Sequence, residues 1–515
     1  VKFPDLSSEK VIAIDIETKD PGLKTKGPGV YRNDGEIVGF SLATPSGFAE
    51  YYDLAHPGSK DVNPQKVLSY LKEVLKLPIK KVGANLLYDF DWLIYGYGME
   101  VKGDWIDIQI AEALIDENQG SYSLDALSKK YGVGTKQESK LNQWAGQNGV
   151  KEKDIKSSIY KMPYSAVYEY GKADAVLPIE IFKKQWPQLK ELGLTIGNSY
   201  SPMSLLDIEM KLLPVLLKMR SFGCRVSVER LNSLESRMET ELHRLNKEID
   251  VMAKGVNYNS PMQVKEFLKH QGVEIPAVQK KDAYGEFVAR ESVAKDVLMQ
   301  IDHPFAKKVL EIRVVDKLLN TFVRGAIKEN LIGDRIHARF HPMVSDSYGA
   351  KTGRLSMSDP SLHQIPTRDA HWGKLIRGLF IPEEGCEWGK VDYSQIEPRL
   401  LAHDAVGASG EMVRTQYAED PYKDYHQMTA DLAGIDRKPA KTVNLGLTYG
   451  MGKEKLRREM MNLGHSAEDA DALMSKYHEA LPYIRETSDA MRKSAERLGY
   501  IKTILGRYRR FPDRS

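Results

Sequence analysis

The sequence predicts an α/β domain with a mixed sheet, then a mainly α region, then a mixed α+β region. Three observations carry this. From Val11 to about Leu194, short apolar runs alternate with amphipathic helical patterns, the alternation that builds helix-covered sheets. Residues 203–254 show helical periodicity almost throughout. From residue 335 strand-like runs reappear among helices.

Taken in order, VIAIDIET and EIVGFSLAT read as strands, and VNPQKVLSYLKEVLKL reads as a helix with one apolar face. The Gly- and Ser-rich stretch 193–203 marks a boundary. A helix over 203–222 is interrupted only by Pro214. A long charged helix over 228–254 repeats Leu231, Leu234, Met238, Leu242, Leu245 and Ile249 at three- and four-residue spacing, the pattern of a packed helix pair. HARFHPMVSD and EWGKVDYS read as strands.

At 515 residues the chain is too long for one core, and roughly two to four domains are expected. Its 42% hydrophobic share is ordinary for a globular protein, and no apolar run approaches a membrane span. The start, VKFPDLSSEK, has no apolar core segment, so no signal peptide is expected. Cys224 and Cys386 are too few and too far apart for a zinc site or a disulfide framework, which favours a reducing interior. A net charge of +3 says little about a polyanionic partner. The C-terminal stretch is more informative: Arg492, Lys493, Arg497, Lys502, Arg507, Arg509, Arg510 and Arg514 face only Glu496 and Asp513. It reads as a solvated basic tail or a phosphate-contacting segment.

Asp15 and Glu17 leave the same face of an otherwise apolar strand. Two acids there repel and lose hydration, a conflict that metal ions resolve. Asn85 and Asp89, and Tyr170 and Asp174, are four apart, so on helices each pair shares a face. Arg437, Lys441, Leu445 and Tyr449 recur every four residues along one helix face. Asp436 is in position to cap that helix, and Pro439 is tolerated in its first turn. Cations one turn apart repel unless an anion such as a triphosphate bridges them.

IDIET at 14–18, GANLLYDFDWL at 83–93 and YEYGKADAVL at 168–177 resemble the three motifs of the DEDDy 3′–5′ exonucleases. TGRLSMSDPSLHQIPTR at 352–368, VDYSQIEPRLL at 391–401 and RKPAKTVNLGLTYG at 437–450 resemble the catalytic half of a family A DNA polymerase, the class of bacterial DNA polymerase I and many phage replicases. The resemblance spans about residues 10–513 and includes no 5′-nuclease domain. It implies an RNase H-like exonuclease domain over 1–194, and a thumb with connecting helices over 195–334. It also implies part of a palm over 335–404, fingers over 405–480, and a return to an incomplete palm over 481–515, in the right-hand polymerase fold.

For the exonuclease, the resemblance implies that Asp15, Glu17, Asp89 and Asp174 ligate two divalent ions about 3.5–4 Å apart. Tyr170 orients the attacking water and Asn85 supports the site. Asp91 and Asp107 read as surface or capping acids. For the polymerase, Asp392 is a metal ligand at a strand end, with the Tyr393 carbonyl beside it, and Glu397 is the gate against a ribose 2′-hydroxyl. Arg437, Lys441 and His426 contact nucleotide phosphates, Lys441 also donating a proton to pyrophosphate, and Tyr449 sits near the templating position. Arg354, His363, Gln364, Arg368, Arg507 and Arg510 contact DNA.

Two positions depart from the family: Pro398 replaces the usual Leu, and Leu445 replaces the aromatic residue near the incoming sugar. No His-Asp-Glu turn occurs in the sequence. His403-Asp404 lies only 12 residues after Asp392 and reads as a surface pair. The expectation is therefore poor or no synthesis by these 515 residues, as a fragment of a longer chain or with a second polypeptide supplying the palm segment.

The implied function is template-directed DNA synthesis with 3′–5′ proofreading, using two Mg²⁺ per site, replaceable by Mn²⁺. The partners would be primer–template DNA and deoxynucleoside triphosphates, with no membrane. The location would be the cytoplasm, the host's if the source is a phage, or an organelle. The alternatives are an exonuclease whose second half only binds primer–template, and a non-catalytic DNA- or nucleotide-binding protein.

Overall fold

The computed structural model describes residues 3–59, 63–281, 286–367, 369–461 and 464–512. They form two compact units, Val1–Trp388 and Gly389–Ser515.

The first unit opens with a five-stranded sheet: β1 (Val11–Lys19), β2 (Glu36–Ala43), β3 (Ala49–Asp53), β4 (Lys80–Gly83) and β5 (Trp105–Asp107). Their order is β3-β2-β1-β4-β5, antiparallel at the β3/β2 and β2/β1 pairs and parallel at β1/β4 and β4/β5. This is the mixed sheet the alternating pattern predicts. Central β1 is buried on both faces (Ile12, Ala13, Ile14 and Ile16), because helices cover both sides. The small residues Ala13 and Ala43 meet Ala175 and Ile179 of the long helix Tyr164–Glu191, which lets that helix lie close to the sheet. Gly171 of the same helix packs against β3: a Cβ there would stand 2.2 Å from the Tyr51 ring.

Helix Pro64–Lys76 forms as expected, with Asn63 Oδ1 accepting from the Lys66 N–H. Helices Leu205–Phe222 and Val228–Met252 are capped by Ser204 and Ser227, and Pro214 lies within the first. Leu231, Leu234, Met238, Leu245 and Ile249 are buried against Phe305, Ala306, Val309 and Ile312 of helix Pro304–Lys317, so that helix is the paired partner.

One strand expectation fails. Residues 387–393 are irregular, with Trp388 63%, Val391 99% and Tyr393 80% exposed. Among the described residues no strand pairs with this segment, and a strand without a ladder partner leaves its backbone groups to water. HARFHPMVSD forms a strand only over Arg339–His341, paired with Ser356–Ser358.

The second unit packs helices around Val413, Tyr425, Val443, Leu447, Leu456, Leu473 and Tyr477. It ends in a hairpin of Tyr500–Lys502 and Tyr508–Arg510. Among the described residues no helix is long and apolar enough to cross a membrane.

Candidate active sites

On β1, Asp15 and Glu17 share the face of Ala13 and point toward helix Tyr164–Glu191, which carries Tyr170 and Asp174. Ligating oxygens of Asp15, Glu17 and Asp174 lie within 4.8 Å of one another. Asp89, buried in helix Leu86–Phe90, stands beside this group, and its Oδ1 accepts from the Ile16 N–H at 2.9 Å. The Tyr170 hydroxyl is buried within hydrogen-bond reach of Asp174. Asn85 precedes the Asp89 helix in the left-handed region (φ 62°) instead of sharing its face, and lines a cavity of about 260 Å³ with Asp107 and Gln109.

Every acid of this group is pushed up from its ordinary pKa. Burial raises Asp15 well above the carboxylate range, helped by the charges of Asp174, Asp89 and Glu17. Glu17 rises to about 8 through burial and Asp174. Asp89 rises to about 8 through burial, with Asp107 and Asp174 adding to it. Asp174 is raised by burial although Lys136 opposes the shift. Its Oδ1 is buried without a hydrogen-bond partner. Crowded acids with an open oxygen have the donor set of a divalent-cation site.

Lys136, which no sequence motif singles out, completes the group. Its Nζ donates to Asp174 Oδ2 at 2.7 Å and to the Tyr170 hydroxyl at 3.3 Å. It lies on an irregular loop, where no periodicity singles it out. Asp107 is indeed a cap, accepting from Gln109 and Ile110 N–H, but it is buried, and it also accepts from Leu86 N–H at 2.8 Å. Asp91 is not a surface acid: it is fully buried, paired with Arg220, and accepts from the Tyr31 hydroxyl at 2.7 Å.

In the second unit, helix Arg437–Thr448 buries Ala440, Val443, Asn444 and Leu447, and exposes Arg437 and Lys441. Leu445 is half-buried, and Tyr449, just past the helix, is exposed. Asp436 holds the N-cap position but its side chain makes no cap bond. Asp424, unremarked in the sequence, accepts from His426 and Gln427 N–H and pairs with Arg437 at 2.6 Å. His426 is buried with its Nδ1 unpartnered. Burial lowers its pKa; the charge of Asp424 opposes that shift, and those of Lys441 and Arg437 add to it. Thus His426, Arg437 and Lys441 come together.

Glu397 lies in the first turn of helix Ile396–Asp404, and Pro398 in that same turn leaves the helix intact. Asp392 is exposed on the irregular segment. Among the described residues no group of three ligating side chains gathers around it. His403 and Asp404 are exposed at the helix end. Arg507 and Arg510 are half-buried at the closing hairpin, with Arg510 over the Tyr508 ring. In the first unit, Arg354, His363 and Gln364 are exposed. Arg368 lies outside the described residues.

Residues 228–515 match the family profile described as DNA polymerase family A, and residues 3–190 match that described as 3′-5′ exonuclease. The chain belongs to family A of the DNA polymerases and is a DNA-directed DNA polymerase with a 3′–5′ exonuclease domain. It is 32% identical to a DNA-directed DNA polymerase of Pseudomonas phage M6, over 99% of this chain and 82% of that one. It is 27% identical to DNA polymerase DpoZ of Vibrio phage phiVC8, over 99% and 83%. With DNA polymerase I of Pseudomonas aeruginosa the identity is 27%, over 99% and 53%. In fold it is similar to the POL domain of Pol1 from M. smegmatis, solved in complex with DNA primer-template and dNTP. That likeness has a TM-score of 0.71 at 22% identity and covers 98% of this chain and 78% of the other.

Proposed function

We propose that Asp15, Glu17, Asp89 and Asp174 form the exonuclease centre that trims a DNA 3′ end, and that this centre works with Mg²⁺, replaceable by Mn²⁺. The observation that carries this is the convergence of Asp15, Glu17 and Asp174 oxygens within 4.8 Å. The unpartnered, buried Asp174 Oδ1 and the raised pKa values fit a site that divalent ions complete. Two ions, when bound, would supply an activated water and neutralise the phosphate. Tyr170 orients that water through its hydroxyl, and Asn85 supports the site.

For synthesis, Arg437, Lys441 and His426 hold the triphosphate, Lys441 protonates the leaving pyrophosphate, and Tyr449 lies by the template. Glu397 excludes the 2′-hydroxyl, with Leu445 at the sugar. Asp392 and the Tyr393 carbonyl supply one side of a metal site. Arg354, His363, Gln364, Arg368, Arg507 and Arg510 contact primer–template, the ligand named for the similar Pol1 structure. The domain limits are those of the sequence reading: 1–194, 195–334, 335–404, 405–480 and 481–515. The relatives are named as single polymerases and lend no support to a second polypeptide. Free Cys224 and Cys386 fit a reducing cytoplasm.

We expect these 515 residues to trim without extending, because the sequence holds no His-Asp-Glu turn and, among the described residues, no three ligating side chains gather around Asp392. The test is a 5′-labelled primer–template incubated with Mg²⁺ and the four nucleotides. Wild-type chain should shorten the primer, and Asp15→Asn should lose that activity by at least about a hundredfold. Shortening that survives Asp15→Asn refutes the exonuclease centre. Extension that Asp392→Asn abolishes refutes the expectation of no synthesis.

A further inference from the structure

The loop between helices Leu124–Tyr131 and Ser139–Gln147 sends one side chain into the carboxylate group. Lys136 is 11% exposed, donates to Asp174 and to Tyr170, and lies 4.9 Å from the centre of the Tyr170 ring. Its ammonium stands 2.7 Å from Asp174 Oδ2, in a group whose other carboxylates are Asp15 and Glu17. This lysine is the cation in direct contact with the acids, whereas Lys156, paired with Glu138, acts on Glu17 and Asp174 more weakly. Lys136 satisfies one oxygen of Asp174, while the other, Oδ1, stays buried and open.

Resting on the assignment of this group as the exonuclease centre, we propose that Lys136 is its built-in counter-cation. Its ammonium stands in for a divalent ion in the metal-free chain and keeps Asp174 and Tyr170 in the ligating arrangement. It withdraws from Asp174 when divalent ions enter, so that ion binding is an exchange of cations. Two consequences follow with opposite signs. Without metal, the ammonium relieves repulsion among the acids and stabilises the site. With metal, the same charge competes, so ions bind more weakly than the acids alone would allow. A lysine serving only as a strut would act the other way: its loss would loosen the acids and weaken ion binding.

The direction of the effect on affinity therefore decides, read by electron paramagnetic resonance of Mn²⁺ titrated into the full, metal-stripped chain. Asp15→Asn with Glu17→Gln identifies which bound ions belong to this site. Lys136→Met is expected to bind those ions about tenfold more tightly. It should also melt at lower temperature without metal, a loss that Mn²⁺ restores, while Lys136→Arg stays near wild type in both measurements. Should Lys136→Met not fold without metal, Lys136→Gln, which keeps a donor but no charge, carries the same comparison. If the carboxylate pair leaves Mn²⁺ stoichiometry unchanged, the centre itself is misassigned. If that pair removes the ions while neither neutral variant binds them more tightly, Lys136 is a strut and the inference is overturned.

Discussion

Removing one charge from the proposed exonuclease centre should stabilise the metal-free chain, although it removes a residue essential to the proposed chemistry. Glu17 is the informative choice because its pKa rises from 4.5 to about 8, mainly through burial and the charge of Asp174. A carboxyl whose folded pKa lies above its unfolded value binds more protons in the folded state between the two. Stability is therefore lost as pH climbs from about 4.5 to about 8, and the loss is complete above that. A rise of about 3.5 units corresponds to about 5 kcal/mol for a carboxyl titrating alone. Asp89 takes up protons over a similar range and Asp15 is raised as well, so Glu17→Gln alone relieves about half of that, roughly 2–3 kcal/mol.

The measurement is urea denaturation in a chelator at about pH 5 and about pH 8.5, with hydrogen exchange in peptides from β1 and helix Tyr164–Glu191 as the local readout. Glu17→Gln should exceed wild type by that amount at the higher pH and by much less at the lower. Saturating Mg²⁺ should reverse the order, since wild type alone regains the ion. Equal stability of the two proteins at high pH, or a gain that does not depend on pH, would refute the electrostatic account.

Four further outcomes are expected. Gly171→Ala puts a Cβ against the Tyr51 ring and should cost about 1–3 kcal/mol in denaturation while lowering exonuclease rate through displacement of Tyr170 and Asp174. Asp91→Ala leaves Arg220 charged and buried without its partner, and should cost about 3–5 kcal/mol by the same measurement. The His426 midpoint, followed by NMR, should fall below the ordinary histidine value; its contribution to stability is present above that value and is lost as pH falls beneath it. Lys441→Ala should weaken triphosphate binding by at least about tenfold in a fluorescence titration, the worth of a charge-assisted hydrogen bond.

What the sequence made legible, and what it hid, follows from which contacts are local. Asp15 and Glu17 sit on one strand and Tyr170 and Asp174 on one helix, so spacing alone gives each pair a shared face. Ala13, Ala43, Ala175 and Gly171 then bring strand and helix together, but nothing in a single sequence says that these small residues meet. Lys136 and the Asp91–Arg220 pair were illegible for the same reason. Each is a long-range charge contact whose members carry no periodic signal, and an isolated Lys or Asp is usually solvated. In the second unit the helix bearing Arg437 and Lys441 was readable, whereas the acid that holds Arg437 was not: Asp424 is 13 residues away, at the start of a different helix. Both centres share this division. The acids of the first and the cations of the second stand out in the sequence because the proposed chemistry of each calls for several like charges close together. The opposite charges that make such crowding tolerable in the folded chain, Lys136 and Asp424, come singly from loops and caps. Like-charge clusters therefore point to a site, while the counter-charge that tunes it has to be found in three dimensions.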